Sequence, residues 1–184
     1  MMATNWRIRQ AVSVLNKGGV IAYPTEAVYG LGCDPWNEDA IMRLLTIKQR
    51  PWHKGLIIIA ADFNQLQPFI KPVSPAVLSQ LESSWPGPTT WLLPVRSDVP
   101  DVLYGEHDTI AVRVTAHKQT AELCRTADSA LVSTSANIMG MRPAQTIHQV
   151  RWQMPDVDYV LPGQCSGSAN PTEIRNAQTG EKIR

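Results

Sequence analysis

Within Leu131-Val132-Ser133-Thr134-Ser135-Ala136-Asn137, an extended backbone would set Ser133, Ser135 and Asn137 in one row, because side chains of a strand alternate. Three small hydrogen-bonding groups in register exceed what a turn requires. They suit phosphate oxygens or the waters of a bound metal. Thr109-Ile110-Ala111-Val112-Arg113-Val114 reads as a strand with Thr109, Ala111 and Arg113 on one face and only apolar residues on the other. An arginine so placed needs an anion, since burying it unpaired is costly. A structural carboxylate and a substrate carboxylate would serve equally well.

Lys48-Gln49-Arg50-Pro51-Trp52-His53-Lys54 brings several cations to the end of a helical stretch. They could face solvent and complement the helix dipole. They could equally clamp a polyphosphate, Arg50 as a bidentate fork and the lysines as point charges. Pro24-Thr25-Glu26-Ala27-Val28-Tyr29-Gly30-Leu31-Gly32 reads as a loop after a buried strand, where open α/β sheets place ligands. Its two glycines allow close backbone approach, and Thr25 and Tyr29 offer hydroxyls. Gly30-x-Gly32 lacks the third glycine and following helix of a dinucleotide fingerprint, and the chain has no Gly-x-x-x-x-Gly-Lys loop.

The elements that must position these groups alternate along the chain. Ile8, Ala11, Val12 and Leu15 have helical spacing, with Gly18-Gly19 as a stop. A strand over 20–23 follows, then a helix capped by Asn37 and ended by Pro51, and a strand over 56–60. Ser74-Pro75 opens a helix to about residue 84. Strands are expected at 91–95, 109–114, 130–135 and 157–161, helices at 117–127 and 146–154, and a hairpin around Gln178-Thr179-Gly180. The pattern is that of one α/β domain, residues 1–184, with a mixed sheet covered by helices.

The bulk properties agree. The 184 residues suffice for one core, and a net charge of +1 confines any nucleic-acid role to a local patch. Cys33, Cys124 and Cys165 form no Cys-x-x-Cys pair, and the four histidines lack metal-ligand spacing. The first residues lack the apolar stretch of a signal peptide, and the longest apolar run, 56–61, is too short to cross a membrane. A cytoplasmic location without membrane association is expected.

Taken together, the segments resemble the YrdC-like (TsaC) threonylcarbamoyl-AMP synthase family. The resemblance rests on Pro-Thr-Glu-x-x-Tyr-Gly-x-Gly at 24–32, Lys-x-Arg-Pro at 48–51 and Trp-Pro-Gly-Pro-x-Thr at 85–90. It continues through Ala-Val-Arg-Val at 111–114, Ser-Thr-Ser-Ala-Asn at 133–137 and Asn-Pro-Thr-Glu-Ile-Arg at 170–175. It implies a twisted open mixed sheet around a concave cleft. It also implies a nucleotidyltransferase that converts L-threonine, bicarbonate and ATP, with Mg²⁺ held mainly through ATP, into threonylcarbamoyl-adenylate and pyrophosphate. The product would feed threonylcarbamoylation of adenosine in tRNA by a downstream tRNA-modifying complex, and a weak direct contact with tRNA stays open.

By resemblance, Thr25, Arg113, Ser133 and Thr172 hold threonine. Lys48, Arg50, Lys54, Thr109, Ser135 and Asn137 surround the nucleotide, with Pro143 and Arg184 also touching it, and Lys48 and Arg50 act as the catalytic cations. His117-Lys118 stands where the family usually has His-Pro, and Thr172 where a serine is common. This is expected to be the short form, whose cleft the 135–145 or 163–172 loops must cover. The absence of a Ser-His-Asp or Cys-His pattern fits a reaction that needs alignment and charge neutralisation and no covalent nucleophile. Two rival readings are a non-catalytic RNA-binding module, motivated by the basic residues at 43–54 and several tryptophans, and carbamoyl-adenylate chemistry as in hydrogenase-maturation carbamoyltransferases.

Overall fold

The computed structural model describes residues 2–167 and 172–183. Helix α1 (Met2–Leu15) buries Ile8, Ala11 and Leu15, and the chain leaves it through Gly18 at φ +76°. Strand β1 (Ile21–Pro24) turns back into β2 (Tyr29–Gly32). Helix α2 (Glu38–Lys48) begins where the Asn37 side chain accepts the Ala40 N–H, with Glu38 and Asp39 at the positive end of its dipole. It buries Ile41, Leu44, Leu45 and Lys48, and Gln49 closes it in the left-handed region.

After β3 (Ile57–Ala60) come α3 (Pro75–Glu82), capped by Ser74, and β4 (Thr89–Pro94). Helix α4 (Asp101–Tyr104), β5 (Thr109–Val114), α5 (Lys118–Ala127) and β6 (Leu131–Ser135) follow. The chain continues through α6 (Ile147–Gln153), β7 (Tyr159–Val160) and β8 (Glu173–Asn176). A turn returns the chain after β8, so that Arg175 and Lys182 bridge antiparallel, as the hairpin reading required. No helix of the described residues is long and apolar enough to cross a membrane.

Four elements depart from the sequence reading. Residues 29–32 form a strand and not a loop; paired antiparallel to β1 and β6, they lie inside the sheet. Their glycines obscured this, and Gly32 is required for packing, because a Cβ there would lie 2.3 Å from the Val132 carbonyl and 2.7 Å from the Tyr23 ring. Helix α4 and the 3-10 turns at Trp52–Lys54 and Asn64–Phe69 are too short to show a period.

The eight strands form one mixed sheet in the order β7-β1-β2-β6-β3-β5-β4-β8. Alternation along each strand feeds two apolar clusters. Ala22, Ile58, Val112 and Val132 pack toward α2, α4 and α6, whereas Ile21, Tyr23, Ile59 and Leu131 pack beneath α1 and α5. Helices α1 and α5 lie over β7, β1 and β3. They leave the rest of that face open, and Gly30, Ile57, Ala111, Ser133 and Leu92 become the floor of a cavity of about 620 Å³.

Candidate active site

The strand register orders this floor. Ala111, Ile57 and Ser133 lie side by side across β5, β3 and β6. Arg113 projects from the same face of β5 two residues further on, level with Ile59, and Thr109 two residues back. From Thr109 to Arg113 the strand runs about 13 Å, at roughly 3.3 Å per residue. Ser135, level with Gly30 of β2, lies toward the Thr109 end. Gly55, whose carbonyl accepts the Arg50 guanidinium at 2.9 Å, precedes Ile57 on that same side. One end of the cavity thus carries Arg113, and the other carries Arg50 and Lys54, with a line of hydroxyls between.

Arg113 is 4% exposed, and its anion is Glu26, with Nη2 to Oε2 at 3.5 Å. This contact is long, and the better hydrogen bonds of Glu26 go to Thr115 Oγ1 at 2.7 Å and the Ala116 N–H at 3.1 Å, both on Oε1. Burial pushes the Glu26 carboxyl up, but Arg113, Thr115 and the backbone outweigh it and hold the carboxyl below its ordinary value of 4.5. A depressed folded-state value means that the stabilisation is complete above 4.5 and is lost as pH falls through the lower folded value. Unfolding free energies measured from pH 7 to pH 3 should therefore fall more steeply below 4.5 for the wild type than for Glu26→Gln. Parallel curves would remove this role.

Lys48 does not behave as a solvent-facing cation. It is 3% exposed, and its Nζ lies 2.5 Å from the Ser135 carbonyl, 3.2 Å from Ser135 Oγ, 3.0 Å from the Asn137 carbonyl and 3.1 Å from Asn137 Oδ1. Burial, and then the charge of Arg50, lowers its amine to about 8. Asn137 is also turned inward: Oδ1 accepts from Ser135 at 2.6 Å, and Nδ2 donates to the Ile138 and Met141 carbonyls. The expected row of three ends at two because β6 stops at Ser135, and period two stops with it. Ser133 and Ser135 line the cavity; Lys48 and Asn137 brace its wall from behind.

Of the other predicted positions, Thr25, Arg50, Lys54, Thr109, Pro143 and Thr172 all line the cavity. Thr25 Oγ1 donates to the Val28 carbonyl at 2.7 Å, and Lys54 Nζ is 3.8 Å from Met139 Sδ. Arg184 lies outside the described residues. Tyr29, read as a possible hydroxyl donor to a ligand, instead donates to the Gly163 carbonyl at 2.6 Å and ties down that loop. Among the described residues, no group of three or more His, Cys, Asp or Glu could hold a metal ion. The lining oxygens of the cavity are mainly hydroxyls and backbone, a set suited to a hydrated Mg²⁺ that arrives on a triphosphate.

Comparison with known proteins decides the family. The sequence model of the Sua5/YciO/YrdC family, described as "Telomere recombination", matches residues 13–184. The chain belongs to the Sua5/YciO/YrdC family. A family relative from Nitrosococcus oceani, named threonylcarbamoyl-AMP synthase, is 55% identical over 100% of both chains. The crystal structure of P. abyssi Sua5 complexed with L-threonine superposes with a TM-score of 0.89 at 31% identity, over 96% of this chain and 52% of that one. The chain thus spans about half the length of that Sua5. E. coli YciO matches with a TM-score of 0.81 at 26% identity, over 92% of this chain and 82% of that one.

His117 caps α5 without a following proline, its side chain accepting the Thr120 N–H, and Thr172 lines the cavity. The sequence reading missed Glu26, although it lies inside the quoted 24–32 motif, because nothing local shows that it pairs with a strand some ninety residues away. It also missed Tyr104 and His107, which line the cavity beside Thr109. No periodic or motif signal marks them.

Proposed function

We infer that the chain makes threonylcarbamoyl-AMP and pyrophosphate from L-threonine, bicarbonate and ATP, and that the reaction takes place in this cavity. The observation that carries the reading is the polarity of the floor: one buried arginine at one end, two cations at the other, and hydroxyls between. An amino-acid carboxylate pairs with Arg113, and Thr25, Ser133 and Thr172 surround the rest of the threonine. The triphosphate lies toward Arg50 and Lys54, with Ser135, Thr109 and Pro143 around the nucleotide. Lys48 and Asn137 act on the nucleotide through the strand end they hold.

The threonine amine and bicarbonate give a carbamate with loss of water. A carbamate oxygen then forms a bond to the α-phosphorus as the bond to pyrophosphate breaks. This step brings two anions together, and like charges 4 Å apart repel by about 4 kcal/mol at an effective dielectric of 20. Fixed cations and preset hydroxyls offset that repulsion and hold the reacting atoms in line. Mg²⁺, carried in on the phosphates, adds charge neutralisation there. The product serves threonylcarbamoylation of adenosine in tRNA, in the cytoplasm, by a downstream tRNA-modifying complex.

Incubating the protein with ATP, Mg²⁺, bicarbonate and threonine should release pyrophosphate and an adenylate that carries threonine. Pyrophosphate release that is indifferent to omission of threonine would overturn the reading.

A further inference from the structure

Thr90 is 0% exposed, and its hydroxyl has no hydrogen-bond partner. Two other buried atoms share this condition nearby, Arg113 Nε and Glu26 Oε2. The antiparallel register of β4 and β5 pairs Leu92 with Ala111 and Trp91 with Val112, where that pairing ends; the same register carried one residue further sets Thr90 opposite Arg113. Thr90 shares the parity of Leu92, which lines the cavity, so its side chain lies on the same sheet face as Arg113. Directly opposed side chains of an antiparallel pair have Cβ atoms about 4.5–5.5 Å apart, within reach of a hydroxyl and a guanidinium.

A buried hydroxyl without a partner costs stability, and native chains seldom retain one without a use. Here the unmet groups are complementary: Arg113 Nε is a donor, Glu26 Oε2 an acceptor, and a threonine hydroxyl is both. The Arg113–Glu26 contact at 3.5 Å leaves the guanidinium loosely held, although burial restricts it.

We propose that Thr90 is a positioning residue for Arg113, and that its hydroxyl takes up the Arg113 Nε–H when a substrate carboxylate draws the guanidinium into its working orientation. In that state Glu26 and Thr90 grip the arginine from two sides, and its terminal N–H groups are free to fork onto the carboxylate. No side chain or backbone group of the described residues takes the Thr90 hydroxyl, and binding completes the set. This inference rests on the reading that Arg113 anchors threonine.

Thr90→Val keeps shape and removes only the hydroxyl. The expected result is a threonine KM about tenfold higher with the ATP KM unchanged. It comes with a Tm raised by roughly 2–4 °C, because an unsatisfied buried hydroxyl has been deleted. Thr90→Ser should restore the threonine KM without that gain in Tm. A Thr90→Val protein that melts lower or fails to fold, or that keeps its threonine KM, would overturn the proposal, since the hydroxyl would then be structural or idle. Arg113→Lys, measured alongside, separates the two layers. If it too leaves threonine use untouched, the reading of Arg113 itself fails; if it alone raises the threonine KM, only the role of Thr90 fails.

Discussion

Arg113→Ala should reduce kcat/KM for threonine by about 30- to 1,000-fold, the equivalent of roughly 2–4 kcal/mol for a desolvated charge-assisted contact, while ATP affinity changes little. The asymmetry follows from the register, which sets Arg113 at the far end of the floor from Arg50 and Lys54. The same variant strands Glu26, 4% exposed, without its counter-charge, and breaking a buried pair in this way typically costs 3–5 kcal/mol of stability. Kinetics must therefore be read on protein shown to be folded. Arg113→Lys supplies the control, because it keeps a charge near Glu26 but loses the planar fork. A threonine KM unchanged in both variants would refute the anchor.

The second large effect is expected at a residue that does not line the cavity. Lys48→Met leaves four oxygens of Ser135 and Asn137 without their shared donor. The Ser135 carbonyl keeps the Asn137 N–H and Asn137 Oδ1 keeps the Ser135 hydroxyl, but the Asn137 carbonyl loses its donor. At roughly 1–3 kcal/mol for a buried acceptor left unmet, the end of β6 should loosen, Tm fall and activity drop about 10- to 100-fold. A lysine that touched phosphate directly would instead lose ATP affinity with Tm intact.

Its amine, lowered to about 8, gives a second signature. As pH rises through 8 the folded protein loses this charge and one donor, so activity should fall. Stability should move the other way, because between about 8 and the ordinary 10.5 the unfolded chain binds more protons than the folded one. Activity and stability falling together over that interval would contradict this account of Lys48.

Much of this architecture was legible where a local pattern sufficed. The alternation in 109–114 placed Thr109, Ala111 and Arg113 on one face, and all three line the cavity. Asn37 caps its helix and Ser74 opens its own, as their types and positions suggest, whereas Thr146, read as the first helical residue, caps a helix that begins at Ile147. What failed depended on distant partners. Residues 29–32 become a strand only because β1 and β6 flank them, and two glycines in four residues hide that. Lys48 has the sequence context of a surface cation at a helix end, yet its position at the inward-facing end of the Ile41–Leu44–Leu45 stripe buries it. The partnership of Glu26 with Arg113 and Thr115 joins chain segments that only the fold brings together.

The uncovered half of the sheet has a consequence for selectivity. Arg113, Ser133, Ser135 and Thr109 are mounted on strands laced to their neighbours by main-chain hydrogen bonds. The spacing from Arg113 to Ser133, Ser135 and Thr109 is therefore a ruler cut when the chain folds, whereas Arg50 and Lys54 stand on the turn beyond α2, outside the sheet. On the proposed reading, a β-amino acid, whose carboxylate and amine stand one methylene further apart, meets the same gauge and presents its amine out of place, so the fixed spacing turns a difference in length into a difference in affinity.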